Sequence, residues 1–186
     1  FSGVEKSTGT VEVHAYKVKP DCTLDPNGKL VLSVPIEKKK NLGDVGIEYN
    51  PEINQVMIYH HFRSKATDAY QLTVVSVDEG LSDITSGSYT LPITKGYTDY
   101  KLLDVLLSDD GHIYGIDNNI DAGDEENWKY KKQELHLVSF KKQGNSFKAD
   151  EEVLNLGANY YITDGMLYDL GKKLSVTGFY VDLKNG

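Results

Sequence analysis

The sequence predicts an all-β protein, on three observations. Apolar and polar residues alternate in one short run after another. Clusters of turn-forming residues separate the runs. Pairs of runs recur about every 60 residues. In chain order, Val11, Val13 and Ala15 alternate with Glu12, His14 and Tyr16, and Leu30, Leu32, Val34 and Ile36 alternate with Val31, Ser33 and Pro35. Val56, Ile58 and Phe62 share one face of the run 55–62. Runs 72–77 and 135–140 repeat the theme, and Leu174 and Val176 alternate with Ser175 and Thr177. A period of two marks strands, because successive side chains point to opposite faces of a pleated sheet. The intervening turns are DPNG (25–28), NPEIN (50–54), DEG (78–80), SDDG (108–111), QGN (143–145) and DLGKK (169–173). Glycine supplies positive φ in such turns, and Asp and Asn bond their own backbone. No stretch has a helical period long enough to predict a helix.

Composition narrows the class. The chain has 186 residues, enough for a real core, and its 13 tyrosines suit strands, where the ring packs and the hydroxyl reaches water. A formal net charge of −8 lacks the basic footprint that nucleic acid demands. Lys38, Lys39 and Lys40, and Lys129, Lys131 and Lys132, read as solvated turns or strand edges, where lysine discourages strand-to-strand aggregation. The single cysteine, Cys22, cannot form an internal disulfide, and no base neighbours it in sequence. No run reaches the roughly 18 to 20 apolar residues of a membrane helix. The chain begins at Phe1 without a secretory leader, so it is read as processed, trimmed or cut from something longer.

Two series of hairpins interleave. One starts at Asp44, Tyr100 and Tyr160, the other at Thr10, Ala69 and Gln133. Two hairpins per period give four strands per unit, which is a propeller blade. The chain therefore parses as a partial β-propeller of four-stranded antiparallel blades that starts and stops in mid-blade. Residues 10–36 are a half blade, 44–93 a blade, 100–156 a blade with a polar insertion at 118–128, and 159–183 a half blade. A β-sandwich is the alternative architecture. On this pattern, from about Thr10 onward, the chain resembles the β-propeller repeats of uncharacterised extracytoplasmic propellers of Bacteroidota-like bacteria. It lacks the Gly-His and Trp-Asp marks of WD repeats and the double glycine of kelch repeats. The resemblance implies an extracytoplasmic setting: periplasm, cell surface or outside the cell.

The richest polar stretch is DNNIDAGDEENW, residues 117–128. Asp117, Asn119 and Asp121 match the first ligand positions of a calcium-binding EF-hand loop, but Ala122 and Trp128 stand where that loop needs glycine and a bidentate glutamate. A solvated insertion is the preferred reading and a looser calcium site the alternative; no other cofactor is expected. Were the segment to bind a ligand, Trp128 and Tyr130 would offer a stacking face. His60 and His61 are adjacent in a strand and face opposite ways, so they do not share a metal. His14, His112 and His136 fall in separate strands or turns. The SDDG turn departs from an aspartate box because Asp110 abuts Gly111. Nucleophile-elbow, phosphate-loop, zinc-protease and dinucleotide motifs are absent from the sequence.

These readings point to a non-catalytic scaffold that binds a protein or a glycan through loops such as 117–128 and 95–99. The alternatives are part of a glycan-processing enzyme, with Asp104 or Asp164 as acids to test, and a purely structural spacer.

Overall fold

The computed structural model describes residues 2–5, 9–36, 42–64, 67–93, 96–121, 132–157, 159–171 and 173–184. Among them the chain is all-β. Its strands are β1 (Ser2–Glu5), β2 (Thr10–Ala15), β3 (Lys29–Pro35), β4 (Asp44–Asn50), β5 (Gln55–Ser64), β6 (Ala69–Asp78) and β7 (Ile84–Pro92). These are followed by β8 (Asp99–Leu107), β9 (Ile113–Asp121), β10 (Lys132–Gln143), β11 (Ser146–Leu154), β12 (Tyr160–Asp169) and β13 (Leu174–Asp182). Among the described residues no helix is long and apolar enough to cross a membrane.

Strands β1, β2 and β3 form one sheet, β12 and β13 a hairpin, and the rest an eight-stranded sheet of order β4-β5-β6-β7-β11-β10-β9-β8. That sheet is two antiparallel meanders in chain order, β4–β7 and β8–β11. They join through one parallel bridge, Ser86 with Ser146. A Cβ on Gly87 would lie 2.7 Å from that of Phe147, so the joint needs glycine for its close approach. The far edges also meet. Leu107 N–H donates to Glu48 Oε2 (3.2 Å), and Asn50 Nδ2 donates to Leu107 O and Asp109 Oδ1 (both 2.9 Å). The eight-stranded sheet is thus nearly closed on itself.

The molecule stacks as three-stranded sheet, first meander, second meander and hairpin, with apolar side chains between each pair. Val13, Leu32 and Val34 meet Ile58, Phe62, Val75 and Val77. Met57, Leu72 and Val74 meet Val105, Leu107, Ile113, Val138 and Phe140. Ile116 and Leu135 meet Leu167. Strand β5 shows how one sequence serves two cores: Met57 and Tyr59 face one neighbour, Ile58 and Phe62 the other. Both faces of the inner strands β5, β6, β9 and β10 are covered, so there alternation sorts residues between two cores rather than between core and water.

The spacing of about 60 residues reappears as bonding between layers. Glu48 and Leu107 are 59 residues apart, Asp109 N–H and Asp169 Oδ2 60, Lys101 Nζ and Thr163 O 62, and Leu167 N–H and Asp104 Oδ2 63. A bulge also recurs, between Leu102 and Asp104 in β8 and between Ile162 and Asp164 in β12. At each bulge the aspartate Oδ1 accepts the next residue's N–H, Val105 at 2.9 Å and Gly165 at 3.0 Å.

Three features differ from the sequence expectation. The first unit carries β1 ahead of residue 10, giving it three strands rather than two. Leu30 is 45% exposed although it alternates with Leu32, because a register shift opposite Val13 and His14 turns Val31 inward instead. Strand β9 runs on to Asp121, so residues 118–121 of the expected insertion are strand. The remainder of that insertion, with Trp128, lies outside the described residues, as does Tyr130 beyond it.

Candidate functional site

The layer between the two meanders is apolar at one end and polar at the other. The polar end gathers where β5, β9 and β11 finish and β6, β8 and β10 begin. Alternation carries it there: Asp117 and Asn119 in β9 continue the face of Ile113, and His136 and Glu134 in β10 continue the face of Val138 and Phe140.

Three rings stack at its centre. His61 lies 5.3 Å from Tyr70 and 5.2 Å from Tyr100, centroid to centroid, and the two tyrosines are 4.1 Å apart. Tyr70 donates to Asp99 Oδ1 at 2.7 Å, and Arg63 sits 5.7 Å over the Tyr70 ring. His61 Nε2 is buried without a hydrogen-bond partner. Burial therefore holds its pKa down, to about 4, adjoining His60 adds to the effect, and the Asp44 carboxylate opposes it. His60 faces the other way, towards Phe62, and its Nε2 meets Leu42 O at 2.7 Å, as strand alternation requires.

Beside the rings, both carboxyl oxygens of Asp117 are buried without a hydrogen-bond partner. Burial pushes this carboxyl well above the usual carboxylate range; the Tyr100 side chain beside it offsets part of that, and the Glu151 charge adds to it. The Tyr100 phenol is raised in turn, first by burial and then by Asp117. His136 is 4% exposed and lies between two carboxylates. Its Nδ1 pairs with Glu151 Oε1, and its Nε2 is 3.0 Å from Glu134 Oε1 and 3.3 Å from Asn119 Nδ2. Glu151 Oε2 accepts the Tyr89 hydroxyl, so β7, β10 and β11 are tied through one carboxylate. The two glutamates engage opposite ring nitrogens, a geometry that holds the ring and does not converge on an ion.

At the rim of this end lies a groove. One part, of about 240 Å³, is lined by Tyr97, Lys132, Gln133, Tyr160, Tyr161 and neighbours. A second part, of about 330 Å³, shares Gln133 and Gly157 with it and reaches Glu134. Gln133 is the anchor. Its Nε2 donates to Tyr160 O at 2.7 Å, and its Oε1 accepts Ile162 N–H at 2.8 Å, fixing β12 against β10. Tyr160 is 42% exposed and meets Tyr180 edge to face at 5.0 Å, while Tyr97 donates to Gln133 O at 3.4 Å.

No protein family, curated protein or solved structure matches the chain. The site must be read from its own chemistry.

Of the residues singled out in sequence, Asp117, Asn119 and Asp121 share one face of β9. Asp117 and Asn119 are fully buried rather than solvated, and only Asp121, at the strand's end, is partly exposed. Among the described residues no group of three or more His, Cys, Asp or Glu side chains could hold a metal ion. Of the loop 95–99, Lys95 lies outside the described residues, Tyr97 enters the groove, and Asp99 receives Tyr70. Asp104 and Asp164 sit at the two bulges, in mid-strand. Sequence reasoning missed Tyr89, Glu134 and Glu151, and gave Tyr160 and Tyr161 no role beyond opening a strand run. Only strand register brings these residues together.

Proposed function

We propose that this chain is a run of β-propeller-type repeats serving as a non-catalytic binding scaffold, extracytoplasmic in a bacterium, with a glycan as its ligand. Three features support the repeat reading: meanders made of strands adjacent in sequence, inner strands covered on both faces, and bonds between layers about one period apart. A sandwich has one core between two sheets, whereas here four layers enclose three.

The observation that carries the binding reading is the strand-end groove with Tyr97, Tyr160 and Tyr161 beside Lys132 and Glu134. Aromatic faces flanked by a few polar groups suit a sugar ring, which has an apolar face and a hydroxylated edge. The non-catalytic reading is supported by burial: Asp117 and His136 are out of a substrate's reach, and Asp104 is engaged by two backbone N–H groups. A protein partner is the other class the scaffold would suit.

The test is thermal unfolding with soluble chitin and β-glucan oligosaccharides. A ligand that binds only the folded chain raises Tm with concentration. At least one glycan should do so, and Tyr160→Ala should abolish the shift while leaving the unliganded Tm nearly unchanged. No shift with any glycan, or a shift indifferent to Tyr97→Ala and Tyr160→Ala, would sink the proposal.

A further inference from the structure

Four dipeptides in the chain place glycine directly after an aspartate or asparagine: Asn27–Gly28, Asp110–Gly111, Asp164–Gly165 and Asn185–Gly186. Such a pair carries a reaction of its own. The glycine nitrogen attacks the carbonyl carbon of the preceding side chain and closes a five-membered imide, and glycine has no Cβ to hinder the approach. Asparagine is thermolabile. The reaction needs a glycine N–H that is not engaged elsewhere, a side-chain carbonyl free to swing onto it, and water. The fold denies these at two of the pairs. Gly111 N–H donates to Ser108 O (3.0 Å), and Asp110 Oδ1 accepts both the Ser108 hydroxyl and His112 N–H (3.0 Å). Asp164 and Gly165 lie inside β12 and pair with β13, and the Asp164 carboxyl presents an oxygen, not its carbon, to Gly165 N–H (3.0 Å). Asn185–Gly186 lies outside the described residues.

Asn27–Gly28 differs on each count. The pair ends the connection between β2 and β3; both residues are exposed and neither belongs to a strand. The backbone bonds of that connection lie elsewhere: Lys19 N–H to Thr23 O, Cys22 N–H to Lys19 O and Asp25 N–H to Lys17 O. Asp25 Oδ1 accepts Asn27 N–H at 2.9 Å, which holds the DPNG turn. Among the described residues, neither Gly28 N–H nor the Asn27 side-chain amide has a hydrogen bond. Packing requires the glycine. A Cβ at Gly28 would lie 2.2 Å from Tyr16 Cε1, so a larger residue fits only if the ring moves. The reactive pair is therefore kept together by a contact that has no part in the reaction.

We propose that Asn27 is a site of spontaneous deamidation in the folded chain, with water as the co-reactant. The Gly28 nitrogen gives its proton to hydroxide and bonds to Asn27 Cγ. The Cγ–Nδ2 bond breaks, and ammonia leaves. Water then opens the imide at either carbonyl, giving aspartate or isoaspartate. In sum, one amide and one water become one carboxylic acid and one ammonia. The ionised product adds one negative charge, taking the formal net charge from −8 to −9. In isoaspartate the main chain also runs through the side-chain methylene. It is then one carbon longer just before Lys29, which pairs with Ala15. The three-stranded sheet thus carries a slow change of charge and length that needs no enzyme. The proposal is independent of any glycan.

The experiment incubates the whole chain at pH 7.4 and 37 °C, folded in buffer and in parallel unfolded in urea. Samples are digested and read by mass spectrometry. The peptide carrying Asn27 should gain about 1 Da, the difference between an amide and a carboxylic acid, and separate into aspartate and isoaspartate forms. Its rate should be nearly the same in the folded and the unfolded chain, because no structure has to open first. At Asp110 and Asp164 the same chemistry conserves mass and shows as a second elution peak. There the folded rate should fall below the unfolded rate by about tenfold or more, since those sites react only after local opening. Asn27→Gln has a longer side chain that would have to close a six-membered ring. It should remove the mass gain and leave the circular dichroism unchanged. Protection of Asn27 by about tenfold or more in the folded chain overturns the proposal. So does a folded-state rate at Asp110 or Asp164 that matches its unfolded rate, or a mass gain that persists in Asn27→Gln.

Discussion

His61 gives the stack of rings between the meanders a definite acid response. Its imidazole is 9% exposed, and Nε2 has no partner. Its folded pKa is about 4, against 6.5 for an unburied histidine. Above pH 6.5 neither state binds the proton, and the full stability is present. As pH falls from 6.5 towards 4 the unfolded chain takes up a proton that the folded chain refuses, and stability is lost. Below about 4 both states are protonated and the loss levels off. At about 1.4 kcal/mol per pKa unit, the step amounts to about 3.5 kcal/mol. His61→Phe keeps a flat ring against Tyr70 and Tyr100 and removes the titration. Urea unfolding followed by circular dichroism at pH 7.5 and pH 4.5 measures both chains. The variant should gain about 2.5 kcal/mol on the wild type between those conditions. His60, whose pKa is also lowered by burial, remains in both chains and cancels. Parallel losses in the two chains would mean that His61 is not held neutral by burial, and the argument for a dry, closed ring stack would go with it.

Asp117 has the opposite sign. Its folded pKa lies well above 3.8, so stability is full below pH 3.8 and declines as pH rises through the folded value. Asp117→Asn should therefore stabilise the chain at pH 7 relative to pH 3.5 by ~1–3 kcal/mol, read from urea midpoints at the two pH values; an unchanged difference would refute it. Asp104→Ala should cost ~2–4 kcal/mol by leaving the Val105 and Leu167 N–H groups without their acceptor. Hydrogen exchange at the Leu167 amide should quicken more than at Met57, deep between the meanders; equal changes would show that Asp104 does not hold the hairpin to the stack.

Much of the fold was legible because alternation and period are local signals. The run 55–62 lies within β5, 72–77 within β6 and 135–140 within β10. What alternation cannot report is the neighbour on each face. Met57, Tyr59 and His61 read as one side of a strand, and nothing in the period says that this side is as dry as the side of Ile58 and Phe62. Bulges were hidden for a related reason. One extra residue at Val31 exchanges inside for outside and leaves the composition of the run unchanged. At the later bulges a signal was present: Asp104 and Asp164 occupy the same place in successive units, and a carboxylate beside a bulge has N–H groups within reach.

The polar end was harder to read, and the reason lies in a coincidence of spacing. Asp117, Asn119 and Asp121 attracted notice because calcium loops place oxygen ligands at every second position. A strand places every second side chain on one face. The pattern D-x-N-x-D therefore satisfies both, and the flanking residues must decide between them. Ala122 and Trp128 speak against the loop, while Ile113 and Ile116 just upstream lead into a buried strand. As a strand, the same residues point a carboxyl and an amide at whatever strand pairing sets opposite, here Tyr100 and His136. Glu151 reaches that spot from 34 positions along the chain (151 less 117). Its arrival depends on β11 pairing with β10 in one register, since a slip of one residue would turn it to the other face. The apolar residues fix that register, because Phe140 and Phe147 must both face the first meander. The polar network is thus a consequence of core packing at the other end of the same strands, which is why no reading of acidic residues alone could have assembled it.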